Sequence, residues 1–350
     1  MPVTVRSFAK INLGLCIGAV RSDGFHELRT VYQTIALHDV LRVQVAKGSG
    51  VEICCTDPRV PTDETNTCYR IIELAMAALK TKGQVVVEIE KRLPVQGGLG
   101  GASSNAVAAL LALERVLRRS LPAAEKLRIA AEVGSDLPLF LLGGTVLGVG
   151  RGEEVYPLPN LPATHCVLAA PDIAVSTPKA FADWDAMTAD EAKLRSAAQT
   201  RTSEPTQARA GRRPAATQNP PKLTVSTHSD RMMEFGRRVS SWLSGLSGVP
   251  VRGRGRAETP LLDLVRTGIE NDFEKVVFPK YPELREVKRV LQRQGALYAA
   301  LSGSGSAVYG LFGSRAAAEK AAARLRKQGV PAQATTTLTR EQYWRKVFDC

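Results

Sequence analysis

Between Leu93 and Asn105 the chain reads Leu-Pro-Val-Gln-Gly-Gly-Leu-Gly-Gly-Ala-Ser-Ser-Asn, four glycines and two serines set between a β-like run and a long alanine-rich stretch. Glycines let a backbone approach an anion without Cβ collisions, and a following helix offers unpaired N–H groups and the positive end of its dipole. The pattern is that of a phosphate cradle, with a nucleoside triphosphate as the expected ligand. It is not a Walker loop, because Gly101 is followed by Ala102, Ser103 and Ser104 rather than by Gly-Lys-Ser/Thr. Nor is it a dinucleotide fingerprint: Gly98 and Gly100 are followed by Ser103 where a third glycine would stand. The plain alternative is a flexible connection that binds nothing.

Two further stretches carry chemistry. The first is Ser7-Phe8-Ala9-Lys10-Ile11-Asn12-Leu13, followed by Arg21-Ser22-Asp23-Gly24-Phe25-His26. Lys10 falls at the end of an expected strand among small and apolar residues, which suits a partly desolvated, fixed amine; a surface lysine is the alternative. Asn12, two positions on, shares its strand face. Phe25 and His26 offer an aromatic plane and ring nitrogens to a flat base, or simply follow a hairpin tip at Asp23-Gly24. The second stretch is Ala300-Leu301-Ser302-Gly303-Ser304-Gly305-Ser306-Ala307, whose N–H groups suit either an anion or a tight packed turn.

Regular elements must position these residues. Period-two alternation predicts strands at 3–8, 13–17 and 41–45, and a helix follows, capped by Asn66 or Thr67, with Ile71, Leu74, Ala75, Ala78 and Leu79 as its buried stripe. A strand at 85–89 leads into the glycine loop. Helices are expected at 104–117 and 122–133, then a strand at 145–149. The later half reads helix 261–267, helix 282–294, strands 298–301 and 308–312, helix 316–327 and strand 333–337. Strands and helices mixed with hairpin-like neighbours favour an α+β fold. Two domains are expected, residues 1–160 and 161–350, with no internal repeat.

Composition narrows the class. Hydrophobic residues make up 44% and charged residues 23% of 350, ordinary for a soluble protein of one or two domains. The apolar stretch from Leu137 to Gly150 carries Pro138 and four glycines and is too short to span a bilayer, and the first residues lack an apolar export signal. Six cysteines without paired spacing and four dispersed histidines point to reduced thiols in a cytoplasm and away from a structural metal. The net charge of +13 is uneven, with 13 Lys and Arg against 6 Asp and Glu between Ala186 and Glu258. That segment is rich in Ser, Thr, Pro, Gln and Gly, and only 231–246 looks helical. It reads as a solvated insertion rather than a nucleic-acid arm, because no aromatic residues interleave with the arginines.

The order of motifs resembles the GHMP kinase superfamily: Ala-Lys-Ile-Asn-Leu, Arg-x-Asp-Gly-Phe-His, Leu-Pro-x-x-Gly-Gly-Leu-Gly-Gly-x-Ser-Ser-Asn, Gly-Ser-Asp-Leu-Pro and Leu-Ser-Gly-Ser-Gly. The Asp-Gly-Phe-His stretch resembles those members that phosphorylate the 2-hydroxyl of a cytidine diphosphate-linked sugar alcohol on the non-mevalonate route to isoprenoid precursors. The resemblance implies a ribosomal S5 domain 2-like N-terminal domain and a ferredoxin-like C-terminal domain. It implies ATP and Mg²⁺ as cofactors, a small-molecule substrate, no nucleic-acid or membrane partner, and a monomer or weak homodimer. By motif, Lys10 and Asp136 become the catalytic pair. Pro94, Val95, Gln96, Gly97, Gly98, Leu99, Gly100, Gly101, Ala102, Ser103 and Ser104 hold the phosphates, Ser104 also serving Mg²⁺, and Asn66 lies on the adenine side. Asn12, Phe25 and His26 face the substrate, with Phe181 stacking on the cytosine opposite the aromatic pair. Gln96 and Ala102 depart from the family's glycines, and the insertion at about 186–258 has no counterpart in its pattern.

Overall fold

Alternating apolar residues at the N-terminus build one long hairpin. In the computed structural model, which describes residues 1–202, 228–246 and 260–349, β1 (Val3–Val20) pairs antiparallel with β2 (His26–Ala46) along almost its whole length. The short strands expected at 3–8 and 13–17 are therefore continuous. Register shifts between Phe8 and Lys10 and between Asn12 and Gly14 absorb the broken periodicity as bulges, which bend a strand without ending it. Lys10 consequently stands mid-strand, not at a strand end.

The rest of the first half is β3 (Gly50–Cys55), α1 (Thr67–Ala78), β4 (Gln84–Glu90), α2 (Gly101–Leu117), α3 (Ala123–Val133), α4 (Leu137–Phe140), β5 (Thr145–Val149) and β6 (Glu154–Pro157). The sheet runs β3-β4-β2-β5-β6 with β1 alongside β2. Residues 104–114 of α2 are all buried, and four of them are alanines, so the helix backbone lies close against β1, β2 and α1. Asn66 caps α1 by accepting the Cys68 N–H at 2.8 Å.

The second half is β7 (His165–Ala169), α5 (Thr177–Thr202), α6 (His228–Leu246), α7 (Pro260–Arg266), α8 (Glu274–Lys280), α9 (Pro282–Arg293), β8 (Tyr298–Leu301), β9 (Val308–Phe312), α10 (Arg315–Lys327), β10 (Ala332–Thr336) and α11 (Arg340–Val347). Its antiparallel sheet runs β10-β7-β9-β8, and α9 and α10 cover it with Leu284, Val287, Leu291, Ala321 and Leu325. Strands and helices segregate as an α+β fold, as the sequence suggests. The two halves share a core in which Ala9, Ile11 and Leu13 of β1 meet Leu264, Tyr309 and Leu311. The last helix crosses back as well: Tyr343 and Val347 of α11 sit in the first half's core, with the Tyr343 hydroxyl donating to the Phe140 carbonyl at 2.7 Å.

The basic segment is not uniformly solvated. Met232, Phe235, Val239 and Trp242 form one face of α6 and are buried in the shared core, because their i, i+3, i+7, i+10 spacing makes an apolar stripe that β1 accepts. The arginine-rich stretches at 203–227 and 247–259 lie outside the described residues.

Candidate active site

The glycine loop is fixed by backbone chemistry. At its entry Asp39, fully buried on β2, accepts from the Arg92 and Leu93 N–H groups and from Lys91 Nζ, each at 2.7 Å, which pins the exit of β4. Beyond it, Lys10 N–H donates to the Leu99 carbonyl at 2.9 Å, Ser302 Oγ to the Gly98 carbonyl at 2.9 Å and Ala307 N–H to the Gly97 carbonyl at 3.1 Å. The loop is thus held between β1 and the 302–307 turn. Gly98 has φ +72°, and a Cβ there would stand 2.2 Å from the Ser302 carbonyl oxygen. Only glycine permits that approach. The small-residue turn at 302–307 both packs on the glycine loop and presents Gly303 and Ser304 to a cavity.

Two cavities meet at this loop. One, of about 320 Å³, is lined by residues 59–61, 65–67, 94–103 and Asn105, so the N-terminus of α2 opens into it. Asn105 Oδ1 is buried there without a hydrogen-bond partner. The other, of about 710 Å³, is lined among others by Lys10, Asn12, Phe25, His26, Tyr32, Asp136 and Phe181. Gly98, Gly100 and Ser103 line both. An anion seated on the glycine loop therefore borders the second cavity directly.

At that junction Lys10 Nζ, 3% exposed by residue, lies 3.4 Å from Asp136 Oδ2 and donates to Asn12 Oδ1 at 2.7 Å. Asn12 in turn donates from Nδ2 to Thr30 Oγ1 at 2.8 Å. The Tyr32 hydroxyl donates to Asp136 Oδ1 at 3.0 Å, and its ring passes 5.6 Å beneath the Lys10 ammonium. Burial, and then the nearby Asp136 charge, push the Tyr32 phenol well above its ordinary pKa, so it remains a donor. The hairpin register explains the grouping: Asn12 pairs with Tyr32 and Lys10 with Thr34, so one face of two strands supplies the amine, the amide and the phenol. Asp136 comes from the turn before α4.

At the far end of the large cavity His26 is 8% exposed, with Nδ1 3.2 Å from the Gly18 carbonyl oxygen and Nε2 3.3 Å from Asp185 Oδ1. Phe181 stacks on the His26 ring at 4.9 Å between centroids, 8° from parallel, and meets Phe273 edge-on. Phe25 is half exposed, and the Arg151 guanidinium sits 4.9 Å over its ring.

Most of the residues singled out from sequence converge here, with two corrections. Ser104 does not face either cavity: it is 2% exposed, and its hydroxyl accepts from Ser7 Oγ at 2.7 Å, because the first turn of α2 directs this position at β1. Ser103 is the serine at the junction. Phe181 does not stand across a gap from His26; a base between the two rings would need roughly 7 Å, two layers of aromatic contact, and they are already in contact. Asn66 lines the nucleotide-side cavity, and its amide also caps α1 and donates to the Pro61 carbonyl at 2.6 Å. Sequence reading missed Thr30 and Tyr32, although they lie four and six positions after His26, an even spacing that marks the same strand face. It also missed Asp39, which carries no local signature.

Residues 66–144 match the family model of the GHMP kinases N terminal domain and residues 258–331 that of the GHMP kinases C terminal. The chain is 36% identical over 311 residues to a 4-diphosphocytidyl-2-C-methyl-D-erythritol kinase of Solibacter usitatus, covering 89% of this chain and 81% of the relative. A crystal structure of a 4-(cytidine 5'-diphospho)-2C-methyl-D-erythritol kinase superposes with a TM-score of 0.65 at 29% identity, over 95% of this chain and 98% of that one. A homoserine kinase from Cytophaga hutchinsonii gives the same TM-score, 0.65, at 20% identity over 97% of this chain and 95% of that one, so the fold alone does not choose the alcohol. By sequence and fold together, the chain belongs to the 4-diphosphocytidyl-2-C-methyl-D-erythritol kinase family of the GHMP kinases.

Proposed function

We propose that this chain transfers the γ-phosphoryl group of ATP to the 2-hydroxyl of 4-diphosphocytidyl-2-C-methyl-D-erythritol, serving isoprenoid precursor synthesis. One observation carries the reading: an amine and a carboxylate, Lys10 and Asp136, lie 3.4 Å apart where the glycine-loop cavity opens into a larger cavity with an aromatic end. Phosphoryl transfer depends on alignment and charge neutralisation more than on covalent chemistry, and these residues supply both. Asp136 takes the proton of the hydroxyl as its oxygen bonds to the γ-phosphorus, the bond to the bridging oxygen breaks, and ADP leaves. Lys10, steadied by Asn12, lends positive charge to the group in transit.

ATP fits the smaller cavity, since the N-terminus of α2 and residues 94–103 face it and the unpartnered Asn105 Oδ1 suits a hydroxyl or amine of the nucleoside. Mg²⁺ fits a site with few protein donors, since it is commonly held by one or two side chains and the phosphates themselves; here Ser103, which lines both cavities, would offer such an oxygen. When bound, the ion neutralises phosphate charge. The cytidine end belongs in the part of the larger cavity lined by Phe25, His26 and Phe181. Reduced thiols, all five described cysteines being free, accord with a cytoplasmic location, and a monomer or weak homodimer suffices for this site. Among the described residues no helix is long and apolar enough to cross a membrane.

Asp136→Asn and Lys10→Ala are expected to lower kcat by roughly 10²–10⁴, the scale of a positioned general base. ADP release measured with the cytidine diphosphate alcohol checks this, and near-normal turnover in both variants rejects the assignment. Assay against mevalonate, homoserine and galactose separates this reading from another alcohol kinase of the same fold.

A further inference from the structure

The Tyr32 hydroxyl lies on the hairpin face beside Lys10 and Asn12 and is directed at the Asp136 carboxylate. Its surroundings are built for it. The residue is 2% exposed, and its neighbours on β5 and the following turn are glycines: a Cβ on Gly148 would come within 2.5 Å of the Tyr32 ring, and one on Gly152 within 2.5 Å of its hydroxyl oxygen. Two glycines thus leave room for a full phenol where a shorter side chain would not need it. Among the described residues the hydroxyl donates to Asp136 Oδ1, while Lys10 approaches Oδ2 of the same carboxylate.

We propose that Tyr32 is a positioning residue for phosphoryl transfer, holding the Asp136 carboxylate in the one orientation that leaves a lone pair facing the substrate hydroxyl. The inference rests on the reading of Asp136 as the proton acceptor. A carboxylate on a short side chain at a turn rotates freely about χ2, a broad and nearly two-fold torsion, and Asp136 is about one-third exposed. A donor on each oxygen removes that freedom: the phenol fixes one edge, the ammonium the other, and the oxygens keep their remaining lone pairs toward the cavity. Misalignment of a reacting group is costly in rate even where binding is untouched.

The test is Tyr32→Phe, which keeps the ring in its glycine-lined slot and removes only the donor, measured with ATP and the cytidine diphosphate alcohol in the wild-type and Asp136→Asn backgrounds. We expect kcat to fall about tenfold, the scale of one hydrogen bond to a charged group, with both KM values within twofold of wild type. In the Asp136→Asn background the same exchange is expected to change residual turnover by less than twofold, because the charged partner is gone. An equal loss in both backgrounds assigns Tyr32 a merely structural role and overturns the proposal. So does full activity of Tyr32→Phe alongside a large loss in Asp136→Asn, which leaves the role of Asp136 standing. Near-normal turnover in Asp136→Asn overturns both readings.

Discussion

The two cavities are made of different material. The smaller one is a backbone construction: a single segment, 94–103, furnishes most of its wall, its shape is set by glycine torsions, and its anchors are main-chain carbonyls and N–H groups bound by Asp39, Lys10 and Ser302. The larger one is a side-chain construction. It shares Gly98, Gly100 and Ser103 with the smaller one, but the rest of its lining comes from β1, β2 and the turn between them, Arg151, the turn before α4, α5, Phe273 and the 302–307 turn, and its polar groups act through Lys10, Asn12, Tyr32 and Asp136. A phosphate chain is the same in every nucleotide, so a fixed array of N–H groups can hold it; an alcohol must be told from other alcohols, which needs shape and chemistry that only side chains provide.

The contrast can be broken at three points. The largest effect is expected from Gly98→Ala, which forces a Cβ to 2.2 Å from the Ser302 carbonyl oxygen at φ +72°. It should cost about 3 kcal/mol of stability and abolish saturable ATP binding, read by thermal melting and by nucleotide titration. An unchanged KM for ATP in that variant would mean the loop is not the cradle. A smaller effect is expected from Arg231→Ala. Arg231 on α6 pairs with the buried Asp272, which also accepts the Ile17 N–H at 2.9 Å, and its guanidinium lies 4.9 Å over Trp184 of α5, the helix that carries Phe181. Losing that charged hydrogen bond should cost about 2 kcal/mol, with KM rising for the alcohol and not for ATP. Equal changes in both KM values would make α6 a general support. The smallest effect is expected from Phe25→Ala, with an alcohol KM about tenfold higher, as for loss of one base-stacking surface, and an unaltered ATP KM. No change would place the base elsewhere in the cavity.

The same division governs how far the sequence could be read. Gly97 to Ser103 could be recognised as an anion cradle without any structure, because every group that makes it lies within one loop and one helix end. Its support could not: Asp39 is separated from Leu93 by more than fifty residues, and nothing around it distinguishes a buried anchor from a surface carboxylate. Ser104 shows the limit at a finer scale. Two adjacent serines at a helix start look alike in sequence, yet a rotation of about 100° per residue sends one to the cavity and the other to Ser7. The solvated reading of the basic segment failed at α6 for a related reason. Its stripe of Met232, Phe235, Val239 and Trp242 is diluted by arginines and serines, and composition averages over the face that β1 buries.

By itself the sequence determined which groups were available: the glycines that tolerate positive φ, the alternation that makes strands, an amine in Ala-Lys-Ile-Asn-Leu and a carboxylate in Gly-Ser-Asp-Leu-Pro. Backbone torsion and local hydrogen bonding are decided within a few residues, so they can be read along the chain. Only the tertiary structure decided that Lys10, Tyr32 and Asp136 meet, that Ser103 rather than Ser104 borders both cavities, and that Phe181 rests on His26. Those distances depend on sheet register and on helices packing across more than a hundred residues of chain, and the free energy that fixes them resides in the shared core rather than in any one segment.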